Sequence, residues 1–457
     1  MQGLLVVLSA IAYVTLLFAI ASVGDRRAAR HSAARPRPFI YAVSLAIYCT
    51  SWTFFGSVGL AAERNFEFLA IYVGPILVFL FGYPLLIRIV RLAKTEKITS
   101  IADFLGARYG KSFAVASIAT LIAVVGAVPY IALQLKAISG SVSLMVEHYS
   151  GSPPSFDPFV SDISLIVAML LALFAVLFGT RHADATEHQN GLVLAVAVES
   201  MVKLAAFLAV GFAVTFLLFG GPGDMFAKLA QSPAVDDAMT YSTSLGTWLV
   251  GTGLSACAIL MLPRQFYVTI VENRSGSELR TATWLFPLYL VAINIFVLPI
   301  AFAGLSLVGT STSSDLYVLS VPLLGGHDVL AMIAFIGGLV LGVALTWVWA
   351  TKSLRGQMRG QGGAPVALAP QVAAFVQFDA TPLEVDRASA HAQHTCRVVR
   401  AASATKPASS TGTNARMRTG SSPRRNRSPI NTRASTPSGT HTSSASAART
   451  PSCINSS

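Results

Sequence analysis

Charged and hydroxyl side chains set inside long apolar runs are the residues of this chain best placed to do chemistry. Each costs a few kcal/mol at mid-bilayer and is kept where a partner or a task offsets that cost. Glu199 and Lys203 stand four residues apart in one such run. That spacing puts them on one helix face, where they can neutralise each other, and it predicts a structural ion pair ahead of a proton relay. A second run reads Ala46-Ile47-Tyr48-Cys49-Thr50-Ser51-Trp52-Thr53-Phe54-Phe55-Gly56-Ser57-Val58-Gly59, mixing hydroxyls with two glycines three residues apart. A helix broken here would free backbone carbonyls for a cation and hydroxyls for a solute. Close packing between helices through small residues is the other reading of the same run. A third run holds Pro129-Tyr130, Gln134 and Lys136; the proline invites a kink, and Lys136, near a span end, is expected to reach the headgroups.

Other polar clusters offer less. Arg181-His182-Ala183-Asp184-Ala185-Thr186-Glu187-His188-Gln189 contains two histidines and two acids, but its place at the end of a span predicts a solvated turn. The cysteines Cys49, Cys257, Cys396 and Cys453 form neither a close pair nor a metal spacing, so neither a disulfide framework nor a Cys-based zinc site is expected. No phosphate-binding loop, nucleophile elbow or metalloprotease helix is present. No catalytic residue is proposed, and the chain is not expected to be an enzyme.

The elements that position these residues follow from composition. Of 457 residues 53% are hydrophobic and 12% charged, with a mean hydropathy of +0.62, which is too apolar for an ordinary soluble domain. About 20 apolar residues are needed to cross a bilayer core about 30 Å thick. Nine stretches qualify, at 3–23, 39–60, 69–90, 113–138, 160–180, 191–219, 245–262, 283–308 and 329–350. Backbone amides in hydrocarbon must pair internally, so these runs are expected to be helices and the fold class all-α polytopic. Arg26, Arg27, Arg30, Arg35 and Arg37 follow the first run, placing that loop in the cytoplasm and the N-terminus outside. Under this topology the inner loops hold 15 Lys/Arg, among them Arg264, Arg274 and Arg280, against Arg64 and Lys228 outside.

The formal net charge of +12 is not spread evenly. Residues 1–350 carry 19 Lys/Arg against 18 Asp/Glu, and residues 351–457 carry 14 against 3. The chain therefore divides into a transmembrane domain, 1–350, and a basic Ser/Thr/Ala/Pro/Arg-rich cytoplasmic tail, 351–457, which is expected to be disordered. Arg424-Arg425-Asn426-Arg427 could adhere to anionic lipid or nucleic acid by charge, but no aromatic residues lie between the charges to stack on bases, so no specific nucleic-acid partner is expected.

Several motifs together resemble the sodium:solute symporter superfamily, and more narrowly the symporter-like N-terminal domain of bacterial sensor histidine kinases. They are Tyr48-Cys49-Thr50-Ser51-Trp52-Thr53-Phe54-Phe55-Gly56, Thr95-Glu96-Lys97-Ile98-Thr99-Ser100-Ile101-Ala102-Asp103-Phe104, Val128-Pro129-Tyr130-Ile131-Ala132-Leu133-Gln134-Leu135-Lys136, Leu262-Pro263-Arg264-Gln265-Phe266 and Trp284-Leu285-Phe286-Pro287-Leu288-Tyr289. The resemblance covers about residues 39–339. It implies a LeuT-like inverted-repeat bundle, here incomplete, in a bacterial inner membrane, handling a small amino-acid-like solute with Na+. By alignment the backbone carbonyls of Ala46 and Cys49 would hold the ion, and Thr50, Ser51, Trp52 and Gly56 would border the solute.

Tyr48 stands where proline-type symporters have an acid, and the likeness stops after Phe335-Ile336-Gly337-Gly338-Leu339. The late helices and the kinase core are absent, which suggests a reading frame shifted near residue 340 and leaves any response-regulator pathway dependent on a missing half. The expected role is the solute transport or sensing module of such a kinase. A free-standing symporter that has lost late helices, or a membrane-anchored interaction protein with a basic tail, are the alternatives.

Overall fold

The computed structural model describes residues 2–30, 36–150, 169 and 190–339. Most of the run expected at 160–180, the segment 181–189 and the tail 351–457 lie outside the described residues. The described secondary structure is helical throughout, with no strand. Helix α1 is Gln2–Arg30, α2 Pro38–Ser44, α3 Ser51–Arg64, α4 Ala70–Phe81, α5 Tyr83–Thr95, α6 Ile101–Arg108, α7 Phe113–Ser150 and α8 Asn190–Phe212. After these come α9 Pro222–Leu229, α10 Pro233–Thr240, α11 Leu245–Met261, α12 Pro263–Phe266, α13 Gly276–Asn294, α14 Val297–Leu307, α15 Tyr317–Leu324 and α16 Asp328–Gly338.

Local sequence explains many of the boundaries. Ser100, Ser244 and Ser275 each accept a first-turn backbone N–H, from Asp103, Thr247 and Glu278 respectively, satisfying amides that a helix start leaves open. Five helical stretches are long and apolar enough to cross a membrane: Leu5–Arg27, Ser51–Phe81, Phe113–Tyr149, Asn190–Leu218 and Gly276–Leu307. Pro233–Thr240 with Leu245–Met261, bent by 81°, makes a sixth if the pair forms one span.

This count of five or six, among the described residues, differs from the nine runs expected over the whole chain. Windows of apolar residues do not register backbone breaks. The run 39–60 is split between α2 and α3, with Cys49 and Thr50 extended between them. The run 69–90 is cut at Gly82, between α4 and an α5 whose second residue, Pro84, has no N–H to give. Of the run 329–350, only the part up to Leu339 is described.

Helix α8 packs against α1, α2 and α16, while α3 packs against α7, α14, α15 and α16. The centre is aromatic. Phe54 meets Phe55 and Phe207 edge-on, with ring centroids 5.1 and 5.3 Å apart. Gly337 and Gly338 let α16 close on these rings, since a Cβ at either position would meet Phe54 or Phe55. Small residues of this kind are how membrane helices approach closely.

The entrance to α2 is fixed by one carboxylate. Glu278, 2% exposed, accepts the backbone N–H of Arg37 at 2.8 Å and that of Arg274 at 2.7 Å. Nearby, Lys94 Nζ donates to Asn273 Oδ1 at 3.3 Å. Burial lowers the pKa of this ammonium, and the Glu278 carboxylate opposes the shift.

Candidate functional site

The helix entering through α2 tightens into a 3-10 turn over Leu45–Tyr48 and then stops. Cys49 (φ −82°, ψ 106°) and Thr50 (φ −102°, ψ −173°) are extended, and α3 begins at Ser51. The break is buried: Ala46, Cys49 and Ser51 are 0% exposed and Thr50 2%. Backbone groups freed at such a depth need partners, and the turn itself and distant elements supply them. Gln265 Nε2 donates to Leu45 O at 3.2 Å, Cys49 N donates to Ala46 O at 2.9 Å, and Trp52 N donates to Gln134 Oε1 at 3.1 Å.

The residues given to the solute by resemblance are disposed around this break. Thr50 precedes α3 without its side chain capping it. Ser51 Oγ donates to Gly338 O at 2.8 Å. The Trp52 indole folds back over Gly56, where a Cβ would strike it. Tyr48, where the resemblance would place an acid, donates its hydroxyl to Ile71 O at 2.9 Å.

Lys203 and Glu199 lie on α8 with Nζ and Oε1 3.4 Å apart and side chains 1% and 5% exposed. The shorter contact of Lys203 runs elsewhere: its Nζ donates to Cys49 O at 2.5 Å. This is one of the two carbonyls that the resemblance gives to sodium. A free cation about 4 Å from the ammonium would be repelled by about 4 kcal/mol at an effective dielectric constant of about 20. The carbonyl suits a fixed ammonium, and a sodium ion beside Lys203 does not fit it.

A set of buried polar atoms near the break has no hydrogen-bond partner among the described residues: Tyr130 Oη, Gln134 Nε2, Arg264 Nη1 and Gln265 Oε1. Tyr130 and Gln134 are one turn apart on α7, which places them on one face. The Arg264 guanidinium lies over the Tyr130 ring, 4.8 Å from its centroid, a cation–π arrangement. Gln134 is 2% exposed and Arg264 6%. Sequence reasoning counted Arg264 among the solvated inner-loop charges, whereas the structure buries it on α12. Its flanking residues, Pro263 on one side and Gln265-Phe266 on the other, fit a loop equally well and gave no signal of burial. Among the described residues, Lys203 and Arg264 bring two cations to the break and Glu199 brings an acid. A buried surplus of unpaired donors of this kind, at the start of α3 where the helix dipole is positive, favours an anionic group.

No family model matches the chain. Its sequence is 22% identical over 291 residues to the uncharacterized symporter YhjB of Bacillus subtilis (strain 168), an alignment covering 64% of this chain and 53% of that protein. The chain thus spans about half the length of the curated relative it matches. It is distantly similar to a symporter, and its described residues include five or six helices long and apolar enough to cross a membrane.

Proposed function

We propose that this chain is the solute-binding membrane module of a symporter-like transporter or sensor, and that the solute is a small amino-acid-like molecule held through its carboxylate at the start of α3. One observation carries the reading. Gln134, almost fully buried, spends its carbonyl oxygen on the α3 amide of Trp52 and leaves its own N–H donors without a partner among the described residues. A buried unpaired donor costs about 1–3 kcal/mol, a cost that a bound acceptor removes. Arg264 supports the same ligand chemistry, with a buried guanidinium nitrogen that likewise has no partner among the described residues. The solute carboxylate would accept from Gln134 and Arg264, with Thr50 and Trp52 beside it. Sensing on behalf of a histidine kinase, in a bacterial inner membrane, is the finer form of this proposal, and the family motifs Thr95–Phe104 and Leu262–Phe266 support it. No catalysis by the chain itself is part of it.

The test uses the purified chain in proteoliposomes with labelled amino and carboxylic acids. Saturable binding is expected, weakened about 30-fold or more by Arg264→Gln, because truncating a buried charge partner costs about 2–5 kcal/mol. Accumulation in the lumen separates a transporter from a sensing module, which binds without accumulating. Absence of saturable binding by every carboxylate, or Arg264→Gln binding as tightly as the native chain, refutes the proposal.

A further inference from the structure

We infer that Lys203 is the resident cation of the broken helix, and that the chain holds this site together without a free sodium ion. The inference takes only its choice of cation from the symporter reading. The ammonium is buried to 1% side-chain exposure, 2.5 Å from Cys49 O and 3.4 Å from Glu199 Oε1. It therefore touches the carbonyl expected to bind sodium and the acid that would balance an ion's charge. Neighbouring carbonyls are served as well: Ala46 O accepts from the Cys49 N–H and Leu45 O from Gln265. Among the described residues, the Glu199 carboxylate is matched by Lys203, and Arg264 adds a further positive charge near Cys49. A sodium ion would enter an already electropositive neighbourhood with its best carbonyl taken. Lys203 reaches across from α8, a helix held on several sides by α1, α2 and α16, so the tethered charge is a fixed part of the packing. An ion that must be bound from solution is replaced by one delivered by folding.

The experiment compares thermal melting and 22Na+ binding of the full chain in sodium chloride and in choline chloride, each at about 0.15 M so that screening is equal. Coincident melting midpoints and no saturable 22Na+ binding are expected for the native chain. Lys203→Met keeps Glu199 and the Cys49 carbonyl but removes the ammonium. It should acquire sodium-dependent stabilisation and bind 22Na+, the lifted repulsion corresponding to up to about 1,000-fold in affinity. Glu199→Gln with Lys203→Met removes both the ammonium and the carboxylate, leaves no acid to attract sodium there, and should melt alike in both salts. Saturable sodium stabilisation of the native chain overturns the inference, as does a folded Lys203→Met variant that ignores sodium. If Lys203→Met folds in neither salt, the native comparison and the double variant decide: sodium dependence in either one refutes the inference, and indifference in both upholds it. No solute enters these measurements, so a failure to bind carboxylates would strike the proposed function and leave this result standing. Sodium-coupled solute uptake would do the reverse.

Discussion

Replacing Gln134 by leucine separates a binding role from a structural one. The side chain makes one hydrogen bond, accepting from Trp52 N at 3.1 Å, and buries one nitrogen that has no partner among the described residues. Gln134→Leu removes both groups at nearly constant volume. Leaving the Trp52 amide without its acceptor costs about 1–3 kcal/mol, and relieving the unpaired Nε2 returns a similar amount. The two terms nearly cancel, so the melting midpoint should move by only a few degrees, corresponding to about 1 kcal/mol or less. Solute affinity should behave differently. A hydrogen bond to a charged acceptor is worth about 1.5–3 kcal/mol, so the dissociation constant should rise about 10- to 150-fold. Thermal melting in detergent and equilibrium binding of a labelled amino acid measure the two quantities on one preparation. Unchanged affinity in a folded Gln134→Leu protein would refute the carboxylate site. A stability loss beyond about 3 kcal/mol would show that Nε2 is satisfied within the protein and has no need of a ligand.

Glu278→Ala should destabilise the chain by about 3–6 kcal/mol, since two backbone amides lose bonds to a charged acceptor, and chemical denaturation in mixed micelles can measure it. Gly338→Ala forces a methyl group against the Phe55 ring and should cost about 1–3 kcal/mol, read as a lowered melting midpoint. If Phe55→Leu in the same chain recovers part of that loss, the steric origin is established; no recovery argues for a different cause.

The all-helical membrane character was legible in run length and composition, because hydrocarbon permits few alternatives to helices. How the apolar runs divide into helices was not, since apolar content is blind to Cys49–Thr50 and Gly82, where the backbone departs from the helix. Within the site, the proximity of Glu199 and Lys203 follows from helical spacing alone. The contact from Lys203 to the Cys49 carbonyl joins residues 154 apart and has no local signature. The same holds for Arg264, whose Pro-Arg-Gln-Phe setting reads equally as a loop until α7 brings Tyr130 beneath it. Periodicity reports which face a residue occupies, and only tertiary packing decides what that face meets.

The two halves flanking Cys49–Thr50 are moored to different neighbours. On the α2 side the Tyr41 hydroxyl donates to Thr269 O at 2.6 Å and the Arg37 amide is tied to Glu278. On the α3 side Ser51 is tied to Gly338, and the Trp52 amide to Gln134. Rocking of one group of helices against the other would concentrate its torsion in the two extended residues between these moorings. The Lys203 ammonium rests on the peptide oxygen at that pivot, so the joint could not flex without disturbing the charge seated on it.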